Sequence, residues 1–502
     1  MGALGDTAAV AGRNHSSPFL EFAPAASVPP AGIVEAGGAS MVAPMRRFLL
    51  LICCLAAPLS AKPATDRPNV VIIFLDDSGY GDYSHHGNPT IETPAISRLA
   101  AEGAEFTQFY VASPACSASR YSLLTGRYPS RSGFPTWVIG PQLKAFLDPR
   151  QETIAQGLKA RGYATALFGK WHLGNPNPAN AMTPDALPLA HGFDEWIGTN
   201  VSHDYVDAKL LASDPAGDTP VKGYREIARD LPSHPDVCDG LTRRYTDAAV
   251  DFIRRKKGAP FFLYLAHNQP HLGLHVSDGF RGKSRRGLLG DVMAEIDDSV
   301  SRVMRALDEC GVAGNTLVVF SSDNGPWIKF QDAAPGAKYG DARLHVGYAQ
   351  PFRDGKGSNW EGGHRVAGIF HWPGVIRPAR VLEPAATLDV LPTVFAFCGV
   401  EIPREAAGRD LRSVLAGKPP AVPFSFGYSG PDNRLSGWRE GPWKLLVRTP
   451  SQIRDPSAPQ ATAQRPLLFN VEQDLGERID RATENPAIVA RLMEKLTADS
   501  PP

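Results

Sequence analysis

The sequence predicts an α/β protein, a large and mostly parallel β-sheet flanked by helices, followed by a smaller α+β carboxy-terminal domain. Two observations carry this. Short apolar runs at Val70–Leu75, Ala164–Phe168, Phe261–Ala266 and Thr316–Phe320 recur between longer helical or loop-like segments, the pattern of strands buried on both faces. Each run also ends on polar residues capable of chemistry: Asp76-Asp77, Gly169-Lys170-Trp171-His172, His267 with His271, and Asp323-Asn324-Gly325. Ligands in open α/β sheets gather beyond the carboxyl ends of strands, so four such endings point to one site.

Taken in order, residues 1–40 are rich in Ala, Gly and Pro without a helical period and read as an extension, with Met41 or Met45 expected as the true start. Residues 41–61 read as a signal peptide. Arg46-Arg47 form its positive start, Phe48–Ala57 its apolar run and Leu59-Ser60-Ala61 its small-residue cleavage site. The mature chain is expected to begin near Lys62, exported to a periplasmic, extracellular or lysosome-like compartment. That apolar run falls short of the roughly 17 residues needed to cross a bilayer, so no stable membrane span is expected. The main domain is expected over 67–417, with a first helix at Thr93–Glu102. After a Pro-rich linker at Lys418–Pro423, residues 424–498 carry strand-like runs at Phe424–Tyr428, Trp443–Val447 and Leu467–Val471 and a helix near Pro486–Thr497.

With 502 residues and 43% hydrophobic content the chain can bury a large core. Lys plus Arg and Asp plus Glu balance at 52 each, so no overall field draws it to nucleic acid. The basic runs Arg254–Lys257 and Arg281–Arg286 read as solvated surface. Cys53 and Cys54 fall in the signal, leaving Cys116, Cys238, Cys310 and Cys398. No CxxC pair occurs, which excludes zinc-thiolate and thioredoxin-like readings.

Asp76, Asp77, Asp323 and Asn324 offer oxygen ligands alone, suited to a hard divalent cation, Ca2+ before Mg2+. Either pair by itself is an ordinary strand-end turn. Together, with Cys116 between them in sequence, they read as a site. Lys170 and Lys356 each lie in a glycine-containing loop beside a tryptophan, Trp171 and Trp360, placed to hold a tetrahedral anion. His172 and His271 titrate near neutrality and can carry protons. No spacing argument raises His203, His267, His275 or His364 above possible supporting contacts.

The segment CSASRYSLLTGR at Cys116–Arg127 resembles the sulfatase signature, Cys-x-Pro/Ala-Ser-Arg followed by Thr-Gly-Arg. NVVIIFLDDSGYGD at Asn69–Asp82, GKWHLG at Gly169–Gly174, HGFDEWIG at His191–Gly198, SSDNG at Ser321–Gly325 and GKGSNWEGGHR at Gly355–Arg365 extend the likeness, and LFNVEQDLGE at Leu468–Glu477 resembles the family's closing element. Over roughly Arg67–Asp480 the chain is similar to type I, arylsulfatase A-like sulfatases of the alkaline phosphatase-like superfamily. The resemblance implies that a formylglycine-generating maturation enzyme converts Cys116 to Cα-formylglycine, whose hydrate attacks the sulfur of an organic sulfate ester. It implies a Ca2+ site of Asp76, Asp77, Asp323, Asn324 and the modified Cys116, with Arg120 orienting the hydrate. Lys170 and Lys356 would bind sulfate, His172 would handle the hydrate's proton, His271 with Lys356 would assist the leaving alcohol, and Ser202 would contact the substrate. With Cys116 converted, three thiols remain and at most one intramolecular disulfide is possible.

Two departures stand out: Ala118 replaces the commoner proline of the modification motif, and Leu272-Gly273 lacks the proline that usually follows the equivalent of His271. Two other functions are compatible with these residues, phosphoester or phosphonate-ester hydrolysis within the superfamily, and non-catalytic binding of sulfated glycans if Cys116 stays unmodified. The substrate, a small molecule or a glycan, is expected to meet walls built by Asp204–Asp239 and Gln331–Tyr348.

Overall fold

The computed structural model describes residues 67–131, 134, 138–140, 143–175, 183–217, 221–328, 345–430, 432–452 and 459–499. The expected extension and signal peptide, and most of the expected wall at Gln331–Tyr348, lie outside these residues. The runs read as strands in the sequence form the middle of the main sheet. β1 is Asn69–Leu75, β2 Ala104–Tyr110, β3 Ala164–Gly169, β4 Glu195–Thr199, β5 Leu210–Ser213 and β6 Tyr224–Ala228. β7 is Phe261–Ala266, β8 Thr316–Ser322, β9 Arg365–His371, β10 Ala379–Val381 and β11 Ala385–Ala386. Their spatial order is β10-β2-β9-β8-β1-β7-β3-β4-β5-β6, with β11 also paired to β2.

From β8 through β1, β7 and β3 to β4 every pairing is parallel. Antiparallel pairing enters through β9, which joins β8 and β2, and through β5 and β6 at the far edge. The short edge strands were hidden in the sequence because charged residues such as Glu195, Arg225 and Glu226 break their apolar pattern.

β1 shows why the centre was legible. All seven of its residues are buried, and alternate side chains enter opposite cores. Val70, Ile72 and Phe74 pack with Phe106, Leu124, Leu158 and Leu391 on one face. Val71, Ile73 and Leu75 pack with Ile96, Phe252 and Ile296 on the other. Burial of each such side chain contributes about 1.5–3 kcal/mol. Helices Cys116–Thr125, Ile154–Ala160 and Val390–Cys398 cover the first face, and Pro94–Glu102, Leu241–Lys256 and Leu288–Glu309 the second. The Leu241–Lys256 helix buries Leu241, Tyr245, Ala249, Phe252 and Ile253, one stripe at three- and four-residue spacing, and keeps its charges outside.

The carboxy-terminal region forms an antiparallel sheet in sequential order, β12 Ser425–Ser429, β13 Leu435–Glu440, β14 Trp443–Leu446 and β15 Leu467–Asn470. Helix Pro486–Asp499 closes it through Leu492 and Leu496, and this core continues into Tyr110 and Ala112 at the end of β2. The expected strands and helix are all present. β13 was not legible beforehand, because its Ser436, Gly437, Arg439 and Glu440 interrupt any apolar run.

Parallel register levels the strand ends: Leu75 pairs with Ser322, and Ala266 pairs with both Phe74 and Gly169. Gly169 is required there, because its φ is 124° and a Cβ would lie 1.7 Å from the Ala266 carbonyl oxygen. Gly169→Ala is therefore expected to lower unfolding free energy by more than about 1 kcal/mol, read from the urea midpoint, and to reduce activity by displacing Lys170.

Candidate active site

Helix Cys116–Thr125 begins at the carboxyl edge of the sheet, and its first residue faces the loop after β1. Gly126, in the left-handed conformation, ends it where the sequence places Thr-Gly-Arg. Cys116 Sγ lies 3.4 Å from Asp76 Oδ1 and 3.9 Å from Asp77 Oδ1. Asp323, at the end of the neighbouring β8, accepts from the Asp77 backbone N–H at 3.0 Å. Asn324 donates through Nδ2 to Asp77 Oδ1 at 2.7 Å and to the Gly325 carbonyl at 2.8 Å. Its Oδ1 is left buried without a hydrogen-bond partner among the described residues.

Three cations meet these three carboxylates. Lys170 Nζ is 2.5 Å from Asp76 Oδ2, Lys356 Nζ is 2.8 Å from Asp77 Oδ2, and Arg120 reaches Asp323 Oδ2 through Nη2 at 2.8 Å and Nε at 3.0 Å. Arg120 also lies 3.6 Å from Asp76 and is fully buried. Burial alone would raise the pKa of Asp76, but Lys170, His271, Arg120 and Lys356 outweigh it and hold the carboxyl well below its usual range. Asp323 goes the other way: burial and the Asp76 charge push it up to about 7.

Burial likewise raises the Cys116 thiol well above its ordinary value, only partly offset by Lys170 and Lys356. The thiol is therefore protonated at neutral pH and is a poor nucleophile as it stands.

His172 and His271 both lie beside these charges. His172 Nε2 donates to the Ile139 carbonyl at 3.0 Å, which leaves Nδ1 as the basic nitrogen, buried and without a partner among the described residues. His271 donates through Nδ1 to the Leu272 carbonyl, and its Nε2 lies 3.6 Å from Asp77 Oδ2. Burial, assisted by neighbouring lysines, lowers the pKa of both rings and keeps them neutral. Asp77 and His172 hold left-handed backbone at φ 62° and 56°, a strain that recurs where side chains are aimed at a site. Ser202 Oγ is buried and has no hydrogen-bond partner among the described residues.

Every residue selected from sequence thus lies at this one sheet edge or in the loops over it. His203 stands next to His271, with ring centroids 5.8 Å apart. His267 instead bonds Ser299, and His364 the Val111 carbonyl, away from the cluster. Sequence reading missed Asp204, 4.0 Å from His271, Tyr205 against His172, and Trp327, whose ring faces both His271 and Lys356. Asp204 and Tyr205 directly follow Ser202-His203, and Trp327 follows Asp323-Asn324-Gly325, so adjacency to chosen motifs was the available signal.

The donors fit a hard cation: carboxylate oxygens from Asp76, Asp77 and Asp323 and the orphaned amide oxygen of Asn324. Asp76, Asp77, Cys116 and His271 offer ligand atoms within 4.8 Å of one another. All four free cysteines of the described residues are unbridged, so the one disulfide allowed by count is not formed among them.

Fold and site together define an esterase of anionic esters, built on a largely parallel sheet whose strand ends gather carboxylates, lysines and a buried cysteine. A family model described as Sulfatase matches residues 68–400. Arylsulfatase A of Bos taurus is 35% identical, the match covering 86% of this chain and 86% of that protein. Steryl-sulfatase of Mus musculus is also 35% identical, over 87% of this chain and 82% of its own length. A solved sulfatase from a glycosaminoglycan-metabolism locus of Bacteroides thetaiotaomicron superposes with a TM-score of 0.70 at 26% identity, covering 86% of this chain and 99% of that one. The chain belongs to the sulfatase family, with the alkaline phosphatase-like fold, and is a sulfuric ester hydrolase.

Replacing Arg120 by Met should leave Asp323 as an uncompensated buried charge and cost about 3–5 kcal/mol of stability. Guanidinium denaturation checks this, and Arg120→Lys, which keeps the charge but loses the two-pronged contact, should fall between.

Proposed function

We propose that the protein hydrolyses an organic sulfate ester to its alcohol and inorganic sulfate through a formylglycine hydrate made from Cys116, at a Ca2+ site of Asp76, Asp77, Asp323, Asn324 and the modified Cys116. The observation that carries this reading is the position of Cys116, at a helix start between two carboxylates and within the fields of Lys170 and Lys356. The cation would supply charge that polarises the sulfate oxygens and the hydrate.

The chain's own groups divide the remaining work. Lys170 and Lys356 hold the nonbridging oxygens of the tetrahedral anion once it displaces their carboxylate contacts, and offset charge that grows in the transition state. Arg120 fixes Asp323 and the floor of the site. The free Nδ1 of His172 accepts the hydrate's proton, and the Lys356 ammonium, assisted by His271, protonates the leaving oxygen. Ser202 Oγ supplies a hydrogen bond to the substrate. A gem-diol adds what a lone hydroxyl lacks, because its second O–H can lose a proton to expel sulfate without water attacking sulfur.

Substrate enters from the side of Lys356, whose side chain is 15% exposed while Asp76, Lys170 and Arg120 are fully buried. Half-buried Tyr205 and Trp327 flank that side and suit the apolar body of an aryl, steryl or glycan sulfate. The maturation enzyme is the one protein partner this reading requires. Export through residues 41–61 and a division into 67–417 and 424–498 belong to the same proposal. Among the described residues no helix is long and apolar enough to cross a membrane.

Aryl sulfate should be turned over faster than the matching aryl phosphate, and faster phosphate turnover in a steady-state comparison would reject the sulfate assignment. Cys116→Ala should lower kcat at least about 1,000-fold with the fold retained, and peptide mass spectrometry should find aldehyde in place of the thiol. Metal affinity should follow Asp323. Its pKa near 7 means that protons compete with Ca2+ below that value, so affinity measured by calorimetry should rise as pH increases through 7 and then level off.

A further inference from the structure

A second cluster of ligating groups lies apart from the carboxylate site, where the loop after β1 returns to the sheet. His85 and His86 occupy the short 3-10 helix Ser84–His86, and Glu105 lies near the start of β2. His86 Nε2 is 2.8 Å and His85 Nε2 is 3.8 Å from the same oxygen, Glu105 Oε1. The three ligand atoms lie within 4.8 Å of one another. Tetrahedral zinc, with bonds of about 2.0–2.2 Å, holds its ligand atoms roughly 3.3 Å apart, and the two observed separations bracket that spacing.

The hydrogen bonds make the cluster more than a coincidence of residue types. His86 Nδ1 faces the Tyr80 carbonyl at 2.6 Å, an acceptor only, so Nδ1 carries the proton. A neutral imidazole then has a lone pair on Nε2, yet Nε2 also faces a carboxylate oxygen. Both ring nitrogens point at acceptors, which requires either an imidazolium or a cation between Nε2 and Glu105. At His85, Nδ1 meets Ser97 Oγ at 3.3 Å, a hydroxyl able to donate or accept, and Nε2 is buried without a hydrogen-bond partner among the described residues. An outer group that fixes the imidazole tautomer, as the Tyr80 carbonyl does for His86, is the usual setting of metal-bound histidine. Tyr80 stacks on His86 at 3.8 Å and 7°, which holds the ring plane.

We propose that His85 Nε2, His86 Nε2 and Glu105 form a site for a first-row divalent transition ion of the zinc type, with water completing a four-coordinate shell. Two imidazoles and one carboxylate suit such an ion better than calcium. The ion would clip the loop that follows Asp76-Asp77 to the start of β2. Arg380, 3.9 Å from Glu105 Oε2 and 72% exposed, opposes binding, and solvent screens it.

The test uses the full-length protein, stripped with chelator and saturated with Ca2+, then titrated with Zn2+ by calorimetry and with Co2+ by visible absorption. One Zn2+ per chain is expected, with Co2+ giving the strong d–d bands of a four-coordinate site. Removing both rings in His85→Ala/His86→Ala should weaken Zn2+ binding at least about 100-fold, and Ser97→Ala, which removes an outer contact, about 10-fold. Aryl sulfate turnover in Ca2+ alone reports whether each variant is folded, and if the double variant is not, Glu105→Gln carries the same comparison. No Zn2+ uptake by the Ca2+-saturated protein would overturn the proposal in favour of a simple imidazolium–carboxylate pair. Equal uptake by the folded variants would overturn it as binding elsewhere.

Discussion

Three carboxylates forced together at the end of the central strands are the constraint on which the rest of the site depends. Asp76, Asp77 and Asp323 are buried because β1 and β8 run parallel in register, so their ends cannot be separated without breaking the sheet. Like charges so close in a low-dielectric interior repel strongly. The structure answers with one cation for each: Lys170 from the end of β3, Lys356 from the loop before β9, and Arg120 from the helix that presents Cys116. Each of those elements is thereby tied to the strand ends. In the proposed reading a divalent cation entering the oxygen cluster would release the two lysines toward an incoming anion, so the groups that neutralise the resting site would also be the groups that meet the sulfate.

The small sheet serves the same end from a distance. Glu361, in the segment after Lys356, receives Lys444 at 3.0 Å and Tyr110 Oη at 2.6 Å, and its backbone N–H donates to Glu477 at 2.6 Å. Lys444 also holds Glu477 at 2.8 Å, all with side chains fully buried. Gln452 bonds the Lys356 carbonyl itself. A buried network of this kind costs desolvation and is stable only when every member is paired, so β14 and the closing loop fix the shape of the glycine-rich segment that carries Lys356. The carboxy-terminal region is in this sense part of the active-site scaffold.

Much of this was legible in the chain because the central strands are unusually plain. Val70–Leu75 and Phe261–Ala266 are uninterrupted apolar runs, and a polar residue at the end of such a run has few places to go except the strand-end edge. β4 and β6 mix charged with apolar residues and β5 is only four residues long, so neither periodicity nor composition marks them. Trp327, Asp204 and Tyr205 were missed for a related reason. They lie in loops, where a side chain's direction is set by packing against distant segments, so adjacency to Ser202-His203 and Asp323-Asn324-Gly325 was the one signal they carried.

By itself the sequence determined the kind of chemistry. It supplied oxygen donors, lysines and histidines at the ends of predicted strands and Cys116 in a signature segment, in an order shared with sulfatases. Only the tertiary structure decided how these groups act on one another. Asp77 and Asp323 are 246 residues apart, and no local rule pairs Asp323 with Arg120 rather than with a lysine, or leaves Nδ1 of His172 free while Nδ1 of His271 is engaged. Those outcomes follow from parallel register and close packing, which bring remote groups within a few ångströms, where burial and Coulomb interaction set protonation, tautomer and pairing.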